Sequence, residues 1–344
     1  MKILITGVTG QDGAYLAKSL LEKKHEVFGT IRRGSTPRYG RLQTLGILEK
    51  LKFVPLELTE FSNVFRTIDE IRPDQIYNLA AQSFVQDSFL HPALTSEINY
   101  LGALNVLEAI KLLKCKTAFY QASTSEMFGD VTADTQNEMT SLNPTSPYAV
   151  AKCAAHYATK VYRDAYGISA SSGILFNHES ELRGREFVTR KITHRLAEFK
   201  YGAGNPVRLG NLNAIRDWGY APDYVEAMQL ITNSNLPSDY VVATNVTSTV
   251  REFFRVCARV CGYDPQFEGE GPDERCVDKV SGQTLCLVDQ DYFRPLDVNY
   301  LCGDYRKIKT ELGWEPTVSV DQMAQRMMEF DLALIKGDVN YFGI

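Results

Sequence analysis

Through the first half of the chain, short apolar runs alternate with longer stretches in which apolar residues recur every three or four positions. The runs predict strands at Lys2–Thr6, Glu26–Ile31, Leu51–Leu56, Gln75–Leu79, Thr117–Gln121 and Ser169–Leu175. The amphipathic stretches predict helices at Gly13–Lys24, Ser62–Ile71, Ala93–Lys114 and Pro147–Tyr166. Apolar strands alternating with helices predict a parallel sheet covered on both faces. After Asn177 the alternation breaks into mixed helices with loops such as Gly202–Pro206 and Glu268–Asp273, and no low-complexity linker separates the halves. The expected fold is therefore α/β: a Rossmann-like, doubly wound parallel sheet with a smaller, interwoven C-terminal substrate lobe. Its boundaries are placed at 1–175 plus roughly 210–240 for the sheet domain, and roughly 176–209 and 241–344 for the lobe. At 344 residues the chain has room for about two units of ~150 residues.

Composition narrows the function. The chain is 44% apolar and 23% charged, which excludes general disorder. Its 37 Lys and Arg against 42 Asp and Glu give a net charge of −5, a poor balance for broad nucleic-acid binding. No run of ~20 apolar residues is present to span a membrane. The opening Met1–Gly7 reads as neither a signal nor a transit peptide, and seven scattered cysteines with no CxxC pair suit a reducing cytoplasm. Cys257 and Cys261, four apart on an expected helix, read as buried small residues, and no metal site is expected.

The first chemistry-bearing motif is Gly7-Val8-Thr9-Gly10-Gln11-Asp12-Gly13, directly after the first strand and opening the first helix. Gly7 permits the tight turn, Gly10 lets the backbone approach a pyrophosphate, and Gly13 lets helix and strand pack closely. The helix start then offers unpaired N–H groups to phosphate. The second strand ends at Arg32-Arg33 with no acidic residue, which favours the 2′-phosphate of NADP over the ribose diol of NAD.

The second motif is Tyr148-Ala149-Val150-Ala151-Lys152, a YxxxK on a helix, where positions i and i+4 share a face. A fixed ammonium beside the phenol is expected to lower its pKa and make it a base. Ser123, Thr124 and Glu126 leave the carboxyl end of a parallel strand, where open α/β sheets bind ligands. Alcohol oxidation needs no carboxylate there, so Glu126 points to a second proton transfer.

These motifs, with Ile5–Asp12, Tyr77–Ser83, Phe119–Glu126, Ser146–Lys152, Gly173–Ser180, Phe187–Ile192, Leu209–Asn213, Arg216–Gly219, Asp223–Met228 and Tyr292–Pro295, resemble the GDP-mannose 4,6-dehydratases of the extended short-chain dehydrogenase/reductase superfamily over nearly the whole chain. The resemblance implies catalysis by Thr124, Glu126, Tyr148 and Lys152 on a tightly bound, recycled NADP. It implies cofactor contacts from Gly7, Thr9, Gly10, Gln11, Asp12, Gly13, Arg32, Arg33, Glu57, Leu58, Leu79, Ala80, Ala81, Ser83, Tyr148, Lys152, Asn177, His178 and Arg183. It implies GDP-sugar contacts from Ser83, Ser123, Thr124, Glu126, Tyr148, Asn177, Val188, Lys191, Leu209, Asn211, Arg216, Arg294 and Asp297. It also implies a homodimer or homotetramer, paired through Ala93–Lys114 and Pro147–Tyr166 and, in a tetramer, with the Arg33–Arg41 loop against a neighbour's cofactor site. Glu181-Leu182 in place of Pro-Arg, Phe84 in place of His and Glu57 in place of Asp depart from the family pattern. Phe84 and Leu182 resemble a branch acting on GDP-manno-heptose, so that sugar stands as an alternative substrate. A 4-epimerase or 4-keto reductase would need Tyr148 and Lys152 without Glu126, and a non-catalytic NADP sensor would need none of them.

Overall fold

The computed structural model describes residues 1–32, 39–131, 134–202, 204–292 and 300–338. The first six strands are β1 (Lys2–Thr6), β2 (Glu26–Ile31), β3 (Lys52–Pro55), β4 (Gln75–Asn78), β5 (Ala118–Thr124) and β6 (Ala170–Leu175). Then come β7 (Asn177–Glu179), β8 (Val207–Leu209), β9 (Ile215–Tyr220) and β10 (Asp239–Val242). The last four are β11 (Thr247–Thr249), β12 (Pro265–Glu268), β13 (Arg275–Asp278) and β14 (Thr284–Val288). Helices α1 (Gln11–Glu22), α2 (Gly40–Thr44), α3 (Phe61–Ile71), α4 (Val85–Leu90), α5 (Pro92–Ser96), α6 (Gly102–Leu113) and α7 (Pro147–Tyr166) belong to the first half. The second half adds α8 (Val188–Lys200), α9 (Ala221–Thr232), α10 (Val250–Val260), α11 (Arg306–Leu312) and α12 (Val320–Lys336).

The main sheet is parallel throughout, in the order β10-β6-β5-β4-β1-β2-β3. Side chains alternate across it as the strand period demands. Ile3, Ile5, Tyr77 and Tyr120 join a core with α1, α9 and Trp314, while Leu4, Ile76 and Phe119 join the opposite core with α3 and α6. The strand order reverses between β1 and β4, opening the crevice at the strand ends where ligands bind.

Several elements differ from the sequence reading, and β5 runs on to Thr124 instead of ending at Gln121. Helix α1 begins at Gln11 rather than Gly13, because Gly10 takes an extended cap conformation and lets the helix start at once. The expected helix Ala93–Lys114 is interrupted by a wide π turn at Glu97–Leu101. That turn carries Asn99, which accepts from the Gln82 backbone N–H (2.9 Å) and donates to its carbonyl (3.0 Å), fastening the loop after β4.

The lobes interweave. A second core gathers α8, α10 and α12 around Trp218 and Phe253, with Cys257 and Cys261 buried in it. The chain returns to the main core at α9 and β10 and again at α11, through Ile308 and Trp314. The boundary expected near 240 thus falls inside β10. Asp223 ties the lobes: its carboxylate accepts from Thr317 N–H (2.8 Å) and hydroxyl (2.7 Å).

Candidate active site

Backbone geometry builds the first wall. Gly7 sits at φ +74°, and a Cβ there would lie 2.8 Å from Ala80 Cα; one on Gly13 would lie 2.4 Å from the Gly7 carbonyl oxygen. Only glycine lets the β1–α1 turn nest this tightly. The Thr6 hydroxyl accepts from Leu79 and Ala80 N–H (both 3.1 Å), drawing the end of β4 against the glycine turn. A cavity of about 280 Å³ opens beside it, lined by Thr9, Gly10, Gln11, Ser83, Arg41 and Arg183 among others. This cradle fits a dinucleotide pyrophosphate: close backbone, a helix start and two guanidiniums.

A charged pair underlies the turn. His178 donates from Nδ1 to the Phe176 carbonyl (2.7 Å) and from Nε2 to Asp12 Oδ2 (2.9 Å), which makes the ring an imidazolium. Burial works against both charges, yet their mutual attraction holds Asp12 down at about 2 and pushes His178 up. Gln11 donates to Asp12 Oδ1 and to the His178 carbonyl, and accepts from Ser180. Asp12, Gln11 and His178 thus shape the cradle as a network.

The second wall comes from β5 and α7. Ser146 caps α7, accepting from Ala149 N–H (3.1 Å), with Pro147 at the first helical position. This fixes the register that buries Tyr148 and Lys152 on one face, 8% and 4% exposed. Thr124 caps the single turn Ser125–Met127 by accepting from Glu126 N–H (3.3 Å), and its hydroxyl acts to lower the pKa of the Tyr148 phenol. Thr124, Glu126, Tyr148 and Lys152 are therefore brought together, as expected. The expected lowering of the phenol does not occur. Lys152 donates from Nζ to the Ala122 carbonyl (2.9 Å) and stands 5.8 Å from the Tyr148 ring centre. Burial, with the Glu126 charge adding to it, pushes Tyr148 up, against smaller help from Thr124 and Arg183; burial pushes Lys152 down to about 8.

A second cavity, about 410 Å³, lies in the smaller lobe, lined by Lys191, Arg185, His194, Arg195, Arg208 and Tyr292 among others. Lys191 Nζ lies 3.7 Å from the Tyr292 ring centre, and burial, then Arg195, lowers its pKa. Glu198 also lines it and pairs with Arg195 (2.8 Å), while Asp289 pairs with Arg208 (3.1 Å), so Lys191 and Arg185 are the cations best placed to meet a diphosphate. The segment from Arg183 to Lys191 contributes to both cavities; Arg183 is held by Glu179 (3.1 Å) and by Phe187, whose ring centre is 3.6 Å away.

Other expected contacts are placed variously. Ala81, Asn177 and Val188 lie half-buried near these walls, and Ser83 and Arg32 are exposed. Glu57 is exposed and Leu58 buried under α6. Ser123 is 3% exposed, with its hydroxyl 3.1 Å from His156 Nδ1. The Leu209 side chain points into the second core, and Asn211 accepts from Asn213 N–H. Arg216 is buried on β9 and donates to the Ile215 carbonyl (2.9 Å). Arg33, Arg294 and Asp297 lie outside the described residues. Sequence reasoning missed Arg41, which donates to the Leu182 (2.7 Å) and Thr9 (3.0 Å) carbonyls, and also Arg185, Arg195, Arg208 and Tyr292. Their only linear signal was basic or aromatic character within otherwise mixed segments. Leu182 is 1% exposed and Phe84 packs edge-on against Phe187, and neither lines a cavity. Among the described residues, no group of three or more His, Cys, Asp or Glu is placed to hold a metal ion.

Comparison with known proteins agrees with this geometry. The model of the family described as GDP-mannose 4,6 dehydratase matches residues 4–327. A GDP-mannose 4,6-dehydratase of Yersinia enterocolitica is 44% identical over 352 aligned residues, covering 97% of this chain and 95% of its own. GDP-mannose 4,6 dehydratase of Homo sapiens is 42% identical, covering 98% and 93%. Among solved structures, a UDP-glucose 4-epimerase of Thermotoga maritima with UDP-glucose superposes at a TM-score of 0.83, with 23% identity and coverage of 97% and 100%, a likeness of fold.

Proposed function

The chain belongs to the GDP-mannose 4,6-dehydratase family, and we propose that Thr124, Glu126, Tyr148 and Lys152 carry its chemistry. The enzyme is a hydro-lyase that takes GDP-mannose to GDP-4-keto-6-deoxymannose with loss of one water. The heptose alternative is not favoured: the relatives are named for GDP-mannose.

NADP, when bound, would supply reversible hydride chemistry for C4 and C6 and end each turnover in its starting oxidation state. The Gly7–Gly13 turn, Arg41, Arg183 and Arg32-Arg33 hold it. Tyr148 takes the proton of the C4 hydroxyl, and Thr124 hydrogen-bonds the same oxygen. Burial holds the Tyr148 phenol up, and the Lys152 ammonium, fastened to Ala122 and 5.8 Å from the ring centre, is the cation that favours its phenolate during the transfer. The C4 carbonyl acidifies the neighbouring C5–H. Glu126 removes that proton and delivers one to the departing C6 hydroxyl, which leaves as water; as hydride is restored at C6, C5 takes back the proton that Tyr148 drew from the C4 hydroxyl. The observation that carries this reading is Glu126 in the same turn as Thr124 and close enough to raise Tyr148 electrostatically. Lys191, Arg208 and Arg216, with Arg294 and Asp297, clamp the GDP moiety.

The sheet domain, residues 1–175 with roughly 210–240, serves the cofactor, and the smaller lobe serves the nucleotide sugar. The protein is a homo-oligomer paired through α6 and α7. Exposed Leu90, Leu94, Leu101, Val150, Tyr157 and Val161 on or beside these helices supply the apolar surface. No helix among the described residues is long and apolar enough to cross a membrane, and the enzyme works in the cytoplasm on a soluble nucleotide sugar.

Incubation of the purified protein with GDP-mannose should yield the alkali-induced chromophore of a 4-keto sugar and a product lighter by one water. Glu126→Gln should lose ~10²–10⁴-fold in water elimination. It should retain oxidation at C4, seen as reduced nicotinamide absorbance. Near-normal elimination by this variant would refute the role of Glu126.

A further inference from the structure

Helix α7 carries a third buried titratable group on its catalytic face. Tyr148, Lys152 and His156 stand at successive four-residue intervals, and His156 is 7% exposed. The reaction as derived gives His156 nothing to do. Its Nδ1 lies 3.1 Å from the Ser123 hydroxyl.

The sheet register shows why this contact matters. Strand β5 pairs with β4 only as far as Gln121↔Asn78, whereas it continues along β6 through Ser123↔Ile174 and Thr124↔Leu175. Residues Ala122, Ser123 and Thr124 therefore overhang β4, with a ladder partner on one side alone. The same run presents the Ala122 carbonyl to Lys152 (2.9 Å) and carries Thr124, whose hydroxyl caps the turn that bears Glu126. Lys152 and His156 on α7 supply side-chain tethers to consecutive overhanging residues. Lys152 needs its own geometry for chemistry, so the tether outside the reacting set is His156–Ser123.

We propose that His156 is a positioning residue: its hydrogen bond to Ser123 holds the overhanging end of β5 so that Ala122 and Thr124 stay in register with Lys152 and Tyr148. This rests on the catalytic assignment above. Burial, opposed by Asp239 and assisted by Arg163 and Lys160, lowers the His156 pKa, which keeps the ring neutral and leaves the single bond to Ser123 intact near pH 7. Replacing the ring with an apolar group would leave the Ser123 hydroxyl buried without this partner and free the strand end to shift. A displacement on the order of 1 Å at a reacting group costs up to ~10²-fold.

The test compares NADP-loaded wild type, His156→Leu, His156→Asn, Ser123→Ala and the double variant Ser123→Ala/His156→Leu, measuring kcat and KM for 4-keto sugar formation from GDP-mannose. His156→Leu should lose about tenfold to a hundredfold in kcat with KM unchanged. His156→Asn, whose amide falls near the position of Nδ1, should recover most of the loss. Ser123→Ala should reproduce the loss, and the double variant should add nothing to it. If His156→Leu does not fold and retain NADP, Ser123→Ala, which removes one oxygen, carries the same expectation. Wild-type kcat in His156→Leu or in Ser123→Ala, equal losses in the Leu and Asn variants, additive losses in the double variant, or a loss confined to KM would each overturn the positioning role. Failure of the wild type to form any 4-keto sugar would instead overturn the catalytic assignment beneath it.

Discussion

Asp12→Asn isolates the charged pair that supports the cofactor turn. In the wild type the Asp12 carboxyl is held at about 2 against an ordinary 3.8, through the His178 imidazolium and the Gln11 amide. One pKa unit corresponds to about 1.4 kcal/mol, so Asp12 ionisation contributes about 2 kcal/mol to the folded state. Because the native value is depressed, that contribution is present above pH 3.8 and is lost as pH falls toward 2. His178 has the opposite sign: its native pKa is raised above 6.5, so its share is fully present below 6.5 and is lost as pH rises through the native value. Asparagine keeps the shape but removes the charge and leaves His178 facing a neutral amide. Urea unfolding at pH 6 should show Asp12→Asn less stable by about 2–4 kcal/mol, since breaking one side of a buried pair costs more than the pair contributes. The deficit should narrow as pH rises through the raised native value of His178. NADP affinity should fall with it, because Asp12 and Gln11 occupy the first turn of α1. A variant within about 0.5 kcal/mol of wild type at pH 6 would place it among ordinary surface substitutions and refute the ion-pair reading.

Replacing both Arg32 and Arg33 with Ala should weaken NADP far more than NAD, measured by titration calorimetry, because no acidic residue follows β2 to serve the ribose diol; equal losses would refute their pairing with the 2′-phosphate. Light scattering at micromolar protein should report a dimer or tetramer. A monomer would refute pairing through α6 and α7, and a dimer would remove an intersubunit role for the Arg33–Arg41 loop.

What the linear sequence determined about this protein was whatever depends on neighbours a few residues apart. The glycine turn is local, because its backbone must nest within seven residues. The Tyr148–Lys152 face is local, because a helix brings positions four apart together. The six strands from β1 to β6 are legible because burial on both faces demands continuous apolar runs. Tertiary structure decided what depends on residues distant in the chain. The His178–Asp12 pair joins positions 166 residues apart, and no local pattern marks its ionisation. The seventh strand of the main sheet, β10, is four residues long and gains its place by pairing with β6. The π turn forms because Asn99 reaches the backbone of Gln82. The phenol of Tyr148 follows the same rule: spacing put an ammonium on its face, but burial and the Ala122 carbonyl determined where that ammonium went. Ser123 lies within a run whose residue types all suit a sugar pocket, yet only the fold brings its hydroxyl to His156, 33 residues along the chain. Desolvation and long-range partners set these features, and both exist only once the chain has folded.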